Sequence, residues 1–237
     1  VSIDSLKKPF MKRNFGDDSG TIYEGTISDF REGWTWSYEQ KTNEKEGPGP
    51  HIDNVKKALE LPDDELLDAL DAVIDLDQFM TFWALEVLVG HWDGYAGNLN
   101  NTYVYADPAD GRFRFIPWGA DSTFVEAEYF IGLEGKLPDA VYAFGHLARR
   151  LYGHAEGRAA YSDRLESLLT EVWDAPALVD KINSMEQLLV LSWTHSALRS
   201  SQGLGHLCAL RQLDLSSNEI SRVEGLAACV QLQHLDL

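Results

Sequence analysis

Read for hydrophobic spacing, the chain changes period three times. The first fifty residues are polar and broken by glycine. Within them Thr21-Ile-Tyr-Glu-Gly25 reads as a short strand. Trp34, Trp36 and Tyr38 alternate with polar residues, which predicts a second strand or an extended arm. From His51 the spacing becomes helical. Val55, Ala58, Leu59 and Leu61 share a face, and Pro62-Asp-Asp-Glu65 opens the next helix with acids at its positive end. A third helix, predicted to be capped by Asp77, carries Phe79, Phe82, Trp83, Leu85, Val87, Leu88 and Val89 nearly all round and is expected to be deeply buried. It stops at Gly90. Two short strands follow, Thr102–Tyr105 and Arg112–Pro117, joined by Asp-Pro-Ala-Asp-Gly. Helices are predicted again over 141–152, 159–173 and 178–189.

The last change is to a repeat. Leu204, Leu207, Leu210, Leu213 and Leu215 return 22 positions later as Leu226, Cys229, Leu232, Leu235 and Leu237. Met185, Leu188 and Leu191 fit the first spacings one unit earlier. With Asn218 after Leu213-Asp-Leu215, this is the pattern of leucine-rich repeats, about two units over 181–237. An amphipathic helix has no place for the 22-residue period or for Asn218. The pattern breaks off mid-repeat at Leu237, which reads as a truncated partial solenoid.

Composition supports a folded chain: 44% of the 237 residues are hydrophobic. The net charge of −18 disfavours nonspecific nucleic-acid or anionic-membrane binding. The acidity is concentrated, with 33 acids and 16 bases up to residue 180 against 5 and 4 beyond it. No stretch approaches the ~18 apolar residues of a membrane span. Cys208 and Cys229 lie in leucine-rich surroundings and are expected to be buried packing residues. Lys7, Lys8, Lys12 and Arg13 form a small basic cluster, read as surface charge, and the acids from Asp63 to Asp77 are read as a solvated helix face.

Candidate chemistry falls between His91 and Phe124. Asp93 begins a Gly/Asn-rich loop at the first strand, and Asp121 follows the second. His91-Trp92-Asp93 with Asn98 has the Asp-x-x-x-x-Asn spacing of a kinase catalytic loop, where Asp orients or deprotonates a hydroxyl and Asn helps hold a metal. The same spacing also suits a Gly/Asn-rich turn capped by an acid. A calcium loop of EF-hand type is disfavoured, because its twelfth position is Val104.

The longer stretch Asp93-Gly-Tyr-Ala-Gly-Asn-Leu-Asn-Asn-Thr-Tyr-Val-Tyr105 with Phe113-Arg-Phe-Ile-Pro-Trp-Gly-Ala-Asp121-Ser-Thr-Phe124 resembles the spore coat protein CotH kinase family. Asn14-Phe-Gly, Thr21-Ile-Tyr-Glu-Gly25 and the Asp75-Leu-Asp-Gln-Phe79 entry to the buried helix are similar to it too, so the resemblance covers about 5–180. It implies an α+β chain: the mainly helical large lobe of an atypical protein-kinase fold with a catalytic β-hairpin, over 1–180. It also implies ATP- and Mg²⁺-dependent phosphorylation of Ser on a protein substrate, in a spore-coat, secreted or cell-surface setting. By position, Asp93 is the catalytic-loop Asp, Asn98 or Asn101 the metal-side Asn, and Asp121 the metal-binding Asp. The family commonly reads Pro-Trp-Asp-x-Asp, whereas here Trp118 is followed by Gly119. Asp121 preserves the second acid of that pair. Only about twenty residues precede Thr21, so the nucleotide-holding small lobe is expected to be missing and this chain inactive by itself. The alternative from another class is a non-catalytic pseudokinase or coat component that binds partners through the repeat.

Overall fold

The computed structural model describes residues 6–46, 49–120, 123–124, 141–186, 190–193, 198–205 and 207–237, and backbone alone for residues 46 and 182–186. Two compact units divide at residue 172, and each is described by itself.

In Lys7–Val172 the chain runs α1 (Lys8–Phe15), β1 (Thr21–Gly25), β2 (Tyr38–Gln40), α2 (His51–Leu59), α3 (Asp63–Asp71), α4 (Leu76–Leu88), α5 (Tyr95–Asn98), β3 (Thr102–Ala106), β4 (Phe113–Pro117), α6 (His146–Gly153) and α7 (Ala155–Ser167). A wide π turn, Leu168–Val172, continues α7. The four strands form one antiparallel sheet in the order β2-β1-β3-β4. In its register Tyr23, Val104 and Phe115 stand in one row and share a face. That face meets α4. Phe79 lies 4.7 Å and Phe82 5.4 Å from Phe115, ring centre to ring centre. Phe30, Tyr95 and Phe113 close the same aromatic core. Each such ring stabilises by roughly 1.5–3 kcal/mol through burial. On the opposite face Phe15 of α1 stacks on Tyr105 at 5.2 Å.

β4 has β3 on one side only, so its other edge presents unpaired backbone groups. Gln78 of α4 covers them. Its Nε2 donates to Phe115 O at 2.6 Å, and its Oε1 accepts from Phe115 N at 2.9 Å. Ahead of it, Phe113 N donates to Val73 O and Asp75 N to Phe113 O, so the link between α3 and α4 pairs with the start of the strand. At the far end of α4, Trp83 Nε1 donates to Tyr142 O at 2.6 Å and its ring lies 4.0 Å from that of Tyr161.

Several expectations change. The basic cluster at 7–13 forms α1, with Pro9 at its start and Gly16 in the left-handed conformation at its end. Trp34–Ser37 is a turn rather than an extended arm: Trp36 is 82% exposed, and Trp34 lies under the Arg31 guanidinium at 4.2 Å. Asp75 caps α4 by accepting from Gln78 N, and Asp77 falls inside the first turn. The helix expected from 141 begins at His146, because Tyr142 O is taken by Trp83 Nε1 and Phe144 N by Ala96 O; the next begins at Ala155, where His154 supplies a cap. All the acids from Asp63 to Asp77 except Asp75 lie exposed as expected, and four of the set also meet arginines. Asp63, Asp71, Asp75 and Asp77 pair with Arg150, Arg112, Arg114 and Arg164 from other elements.

The unit containing Trp173–Leu237 begins with α8 (Ala175–Glu186), followed by β5 (Val190–Ser192), β6 (Gln212–Asp214) and β7 (His234–Asp236). The three strands are parallel, and the paired residues Leu191, Leu213 and Leu235 stand 22 positions apart. Leu191, Leu207, Leu210, Leu213 and Leu215 form its buried cluster. Asn218 Nδ2 donates to Leu215 O at 2.8 Å and to Trp193 O at 2.6 Å, while its Oδ1 accepts from Leu198 N at 3.2 Å. Cys229 is buried as expected; Cys208 is exposed. Among the described residues no helix is long and apolar enough to cross a membrane.

Candidate active site

The loop before the hairpin β3–β4 brings Asp93, Asn98 and Asn101 together. Leaving α4, the chain turns at Gly90, passes Asp93 and makes the single turn α5. Leu99 ends that turn with φ 61°, a strained position for a bulky side chain, and Asn101 follows with φ 45°. These two reversals swing the Asn-rich segment back over Asp93. Asn98 Nδ2 donates to Asp93 Oδ1 at 2.7 Å, Asn100 Nδ2 to the same oxygen at 3.3 Å, and Asn101 Nδ2 to Oδ2 at 2.8 Å. An amide that donates to Asp93 turns its own oxygen to the opposite side of the same carbon. Three amide oxygens therefore ring the carboxylate, facing away from it.

Asn98, suggested by spacing, and Asn101, suggested by the family resemblance, both contact Asp93, and Asn100 joins them. Asp121 lies outside the described residues. Its neighbours are tied at both ends: Gly119 O accepts from His91 Nε2 at 3.2 Å, and Phe124 N donates to Val89 O at 2.7 Å. A carbonyl can only accept, so Nε2 of His91 carries the proton. Gly119 has φ 60°, and a Cβ there would lie 2.5 Å from Cγ of Asn101. The Asn101 side chain fills the space that any side chain at 119 would need. Gly97 is required as well, since a Cβ would sit 2.1 Å from the carbonyl oxygen of Trp92.

Beneath the loop lie two groups that pattern reading passed over. Glu86, on α4, is 2% exposed. Its Oε1 accepts from Tyr95 N at 3.0 Å and its Oε2 from Ala96 N at 2.9 Å, so it caps α5 with both oxygens. Burial pushes its carboxyl up to about 8, against the pull of those two amides. Its signal was in the sequence, as the one acid within the apolar run 79–89. Asp29 is the second. Fully buried, it accepts from Tyr95 Oη at 3.0 Å and from His146 N at 3.0 Å, and pairs with Arg31. It joins the segment after β1 to α5 and to the start of α6, and nothing in the local pattern announces it.

Beside the hairpin, Glu24 of β1 accepts from Tyr103 Oη and pairs with Lys41 at 2.6 Å. Burial first, and then Glu24, push the Tyr103 phenol up. Trp118 stands edge-on to Tyr103 at 5.5 Å. Among the described residues no group of three or more His, Cys, Asp or Glu converges. At Asp93 the three amides present N–H donors to one carboxylate, and their oxygens are turned away from it.

Comparisons with known proteins place the chain. It is 25% identical over 150 residues to Invasin CotH2 of Rhizopus delemar, which is 60% of this chain and 25% of that protein. Invasin CotH3 of the same fungus is 24% identical over 151 residues, and its Spore coat protein homolog 1 is 23% identical over 153, again covering about a quarter of each relative. This chain therefore spans about a quarter of the length of the curated relatives it matches. The model of the family described as CotH kinase protein matches residues 1–208, past the ~180 suggested by motifs and across β5. Matched over most of its length, and with its Asp93 loop and hairpin folded into one site, the chain belongs to the CotH kinase protein family.

Proposed function

We propose that Lys7–Val172 carries the catalytic-loop lobe of a CotH-type atypical protein kinase, which moves the terminal phosphoryl group of ATP to a serine hydroxyl of a protein substrate. One observation carries this reading: a lone carboxylate, Asp93, gripped on both oxygens by side-chain amides at the mouth of a hairpin whose other strand leads directly to Asp121. In it, Asp93 orients the substrate hydroxyl and takes its proton. Asn98 and Asn100 fix one oxygen and Asn101 the other, so the carboxylate does not rotate away from the hydroxyl. Asp121, with the amide oxygen of Asn98 or Asn101, would hold Mg²⁺. When bound, Mg²⁺ offsets the charge on the nucleotide phosphates. The test is phosphotransfer from labelled ATP to an acceptor protein by the full-length protein. Asp93→Ala and Asp121→Ala are each expected to lower the rate at least 10²-fold; unchanged rates in both would remove the reading.

A second reading rests on Gly119. Here the acid common in the family at that position is replaced, and Asn101 occupies its space while bonded to Asp93. On this reading the lobe is a pseudokinase that binds partners. Mg²⁺-dependent nucleotide binding to this chain, measured by calorimetry, argues against it. For 181–237 we propose two leucine-rich repeats that serve as a protein-binding segment, a reading supported by the 22-residue step between paired strands and by the Asn218 bridge.

A further inference from the structure

Two chains of contacts start at Glu86 and end on opposite oxygens of Asp93. The first runs through α5. Glu86 holds the amides of Tyr95 and Ala96, and this turn delivers Asn98 to Asp93 Oδ1. The second runs through His91. Its Nδ1 stands 3.6 Å from Glu86 Oε1, its backbone N donates to Glu86 O at 2.7 Å, and its Nε2 holds Gly119 O. Against Gly119 rests the Asn101 side chain, which delivers its amide to Asp93 Oδ2. Glu86 and His91 are both 2% exposed, so neither contacts a substrate. Gly94 is shaped to the same end: a Cβ there would meet Glu86 Oε1 at 2.1 Å.

We propose that Glu86 is the positioning residue of the site, setting the direction of the Asp93 carboxylate through α5 on one side and through His91 and Gly119 on the other. A plain helix cap would hold α5 alone. The distinguishing feature is that both arms close on one carboxylate, so loss of the Glu86 carboxyl loosens Asn98 on one oxygen and Asn101 on the other, while loss of the His91 ring loosens Asn101 alone. The inference rests on Asp93 being the working group of the proposed kinase site, but its first test does not need catalysis.

That test reads the side-chain amide signals of Asn98 and Asn101 by nuclear magnetic resonance in Glu86→Gln, Glu86→Asp and His91→Phe. Glu86→Gln is expected to shift both signals and speed their exchange about tenfold, and His91→Phe to move Asn101 while leaving Asn98 in place. The strand amides of Val104 and Phe115 are expected to stay protected in all three. Glu86→Asp keeps the acid one methylene short and serves if Glu86→Gln does not fold; it is expected to move both signals in the same direction. The idea is overturned if Asn98 and Asn101 do not respond, or if strand exchange accelerates equally, since a merely structural acid would loosen the whole unit. In the phosphotransfer assay Glu86→Gln is expected to lower kcat about 10²-fold with KM for ATP within about twofold. A fall in KM affinity with kcat intact counts against the proposal. A wild-type protein that transfers no phosphate removes the kinase reading, while the amide signals still decide the role of Glu86.

Discussion

Phe115 and Leu213 are both buried strand residues, and they find their neighbours in different ways. Leu213 pairs with Leu191 and Leu235, each 22 positions away, and one spacing generates both contacts. Phe115 meets Phe30, Phe79, Phe82 and Tyr95, at separations that follow no period. The repeated region satisfies polar groups of its turns through Asn218, which bonds within its own turn and to the preceding one. The aromatic region does so with single groups used once each, namely Gln78 on an edge strand, Asp29 on α6 and Glu86 on α5. A periodic design draws its strand contacts from one spacing. A design of single tethers has no substitute for any of them.

Substitutions can break or sharpen that contrast. The largest effect is expected at Phe115→Ala, which opens the aromatic core and should destabilise the Lys7–Val172 unit by about 3–5 kcal/mol in denaturant titration. A loss under about 1 kcal/mol would mean that the core repacks and that its contacts are less specific than drawn. Next comes Glu86, through pH. Burial pushes its folded carboxyl up to about 8, against an ordinary value of 4.5. The native state therefore binds the proton more tightly, and the contribution of this group to stability is complete below about pH 4.5, falls as pH rises and is lost above about 8. The fall amounts to a few kcal/mol. Glu86→Gln should flatten it between pH 5 and 8, and an unaltered slope would assign the dependence to other groups. Asn218→Ala strands the amide of Leu198 and two carbonyls, and should cost about 1–3 kcal/mol, read as faster amide exchange at Leu198. The smallest effect is expected at Arg150→Ala. Its 2.7 Å contact with Asp63 is largely exposed, so at most about 1 kcal/mol should be lost, and less in high salt.

The legible parts of this chain were those that depend on local chemistry or on period. The all-round apolar run 79–89 signalled a buried helix, Asp-Pro-Ala-Asp-Gly a hairpin, and the 22-residue step a stack of parallel strands. Asp93 and Asn98 were singled out by spacing and Asn101 by the family resemblance, and the structure sets their side chains in contact. What escaped were groups whose partners lie far along the chain. Asp29 works with Tyr95 and His146, 66 and 117 positions away, and no window of sequence contains that relation. Trp34 and Trp36 alternate like strand residues, but the pattern cannot register that Arg31 is close enough to stack on one and leave the other in water. Cys208 follows a leucine of the repeat by one position, and that single step moves it from the packed row to the surface.

Gly119 and Asn101 stand eighteen positions apart and share one small volume. Only one of them can place a side chain there. Any side chain at 119 would displace Asn101 from its place on Asp93. An acid placed at 119 would therefore take the volume that now keeps the Asp93 carboxylate in place.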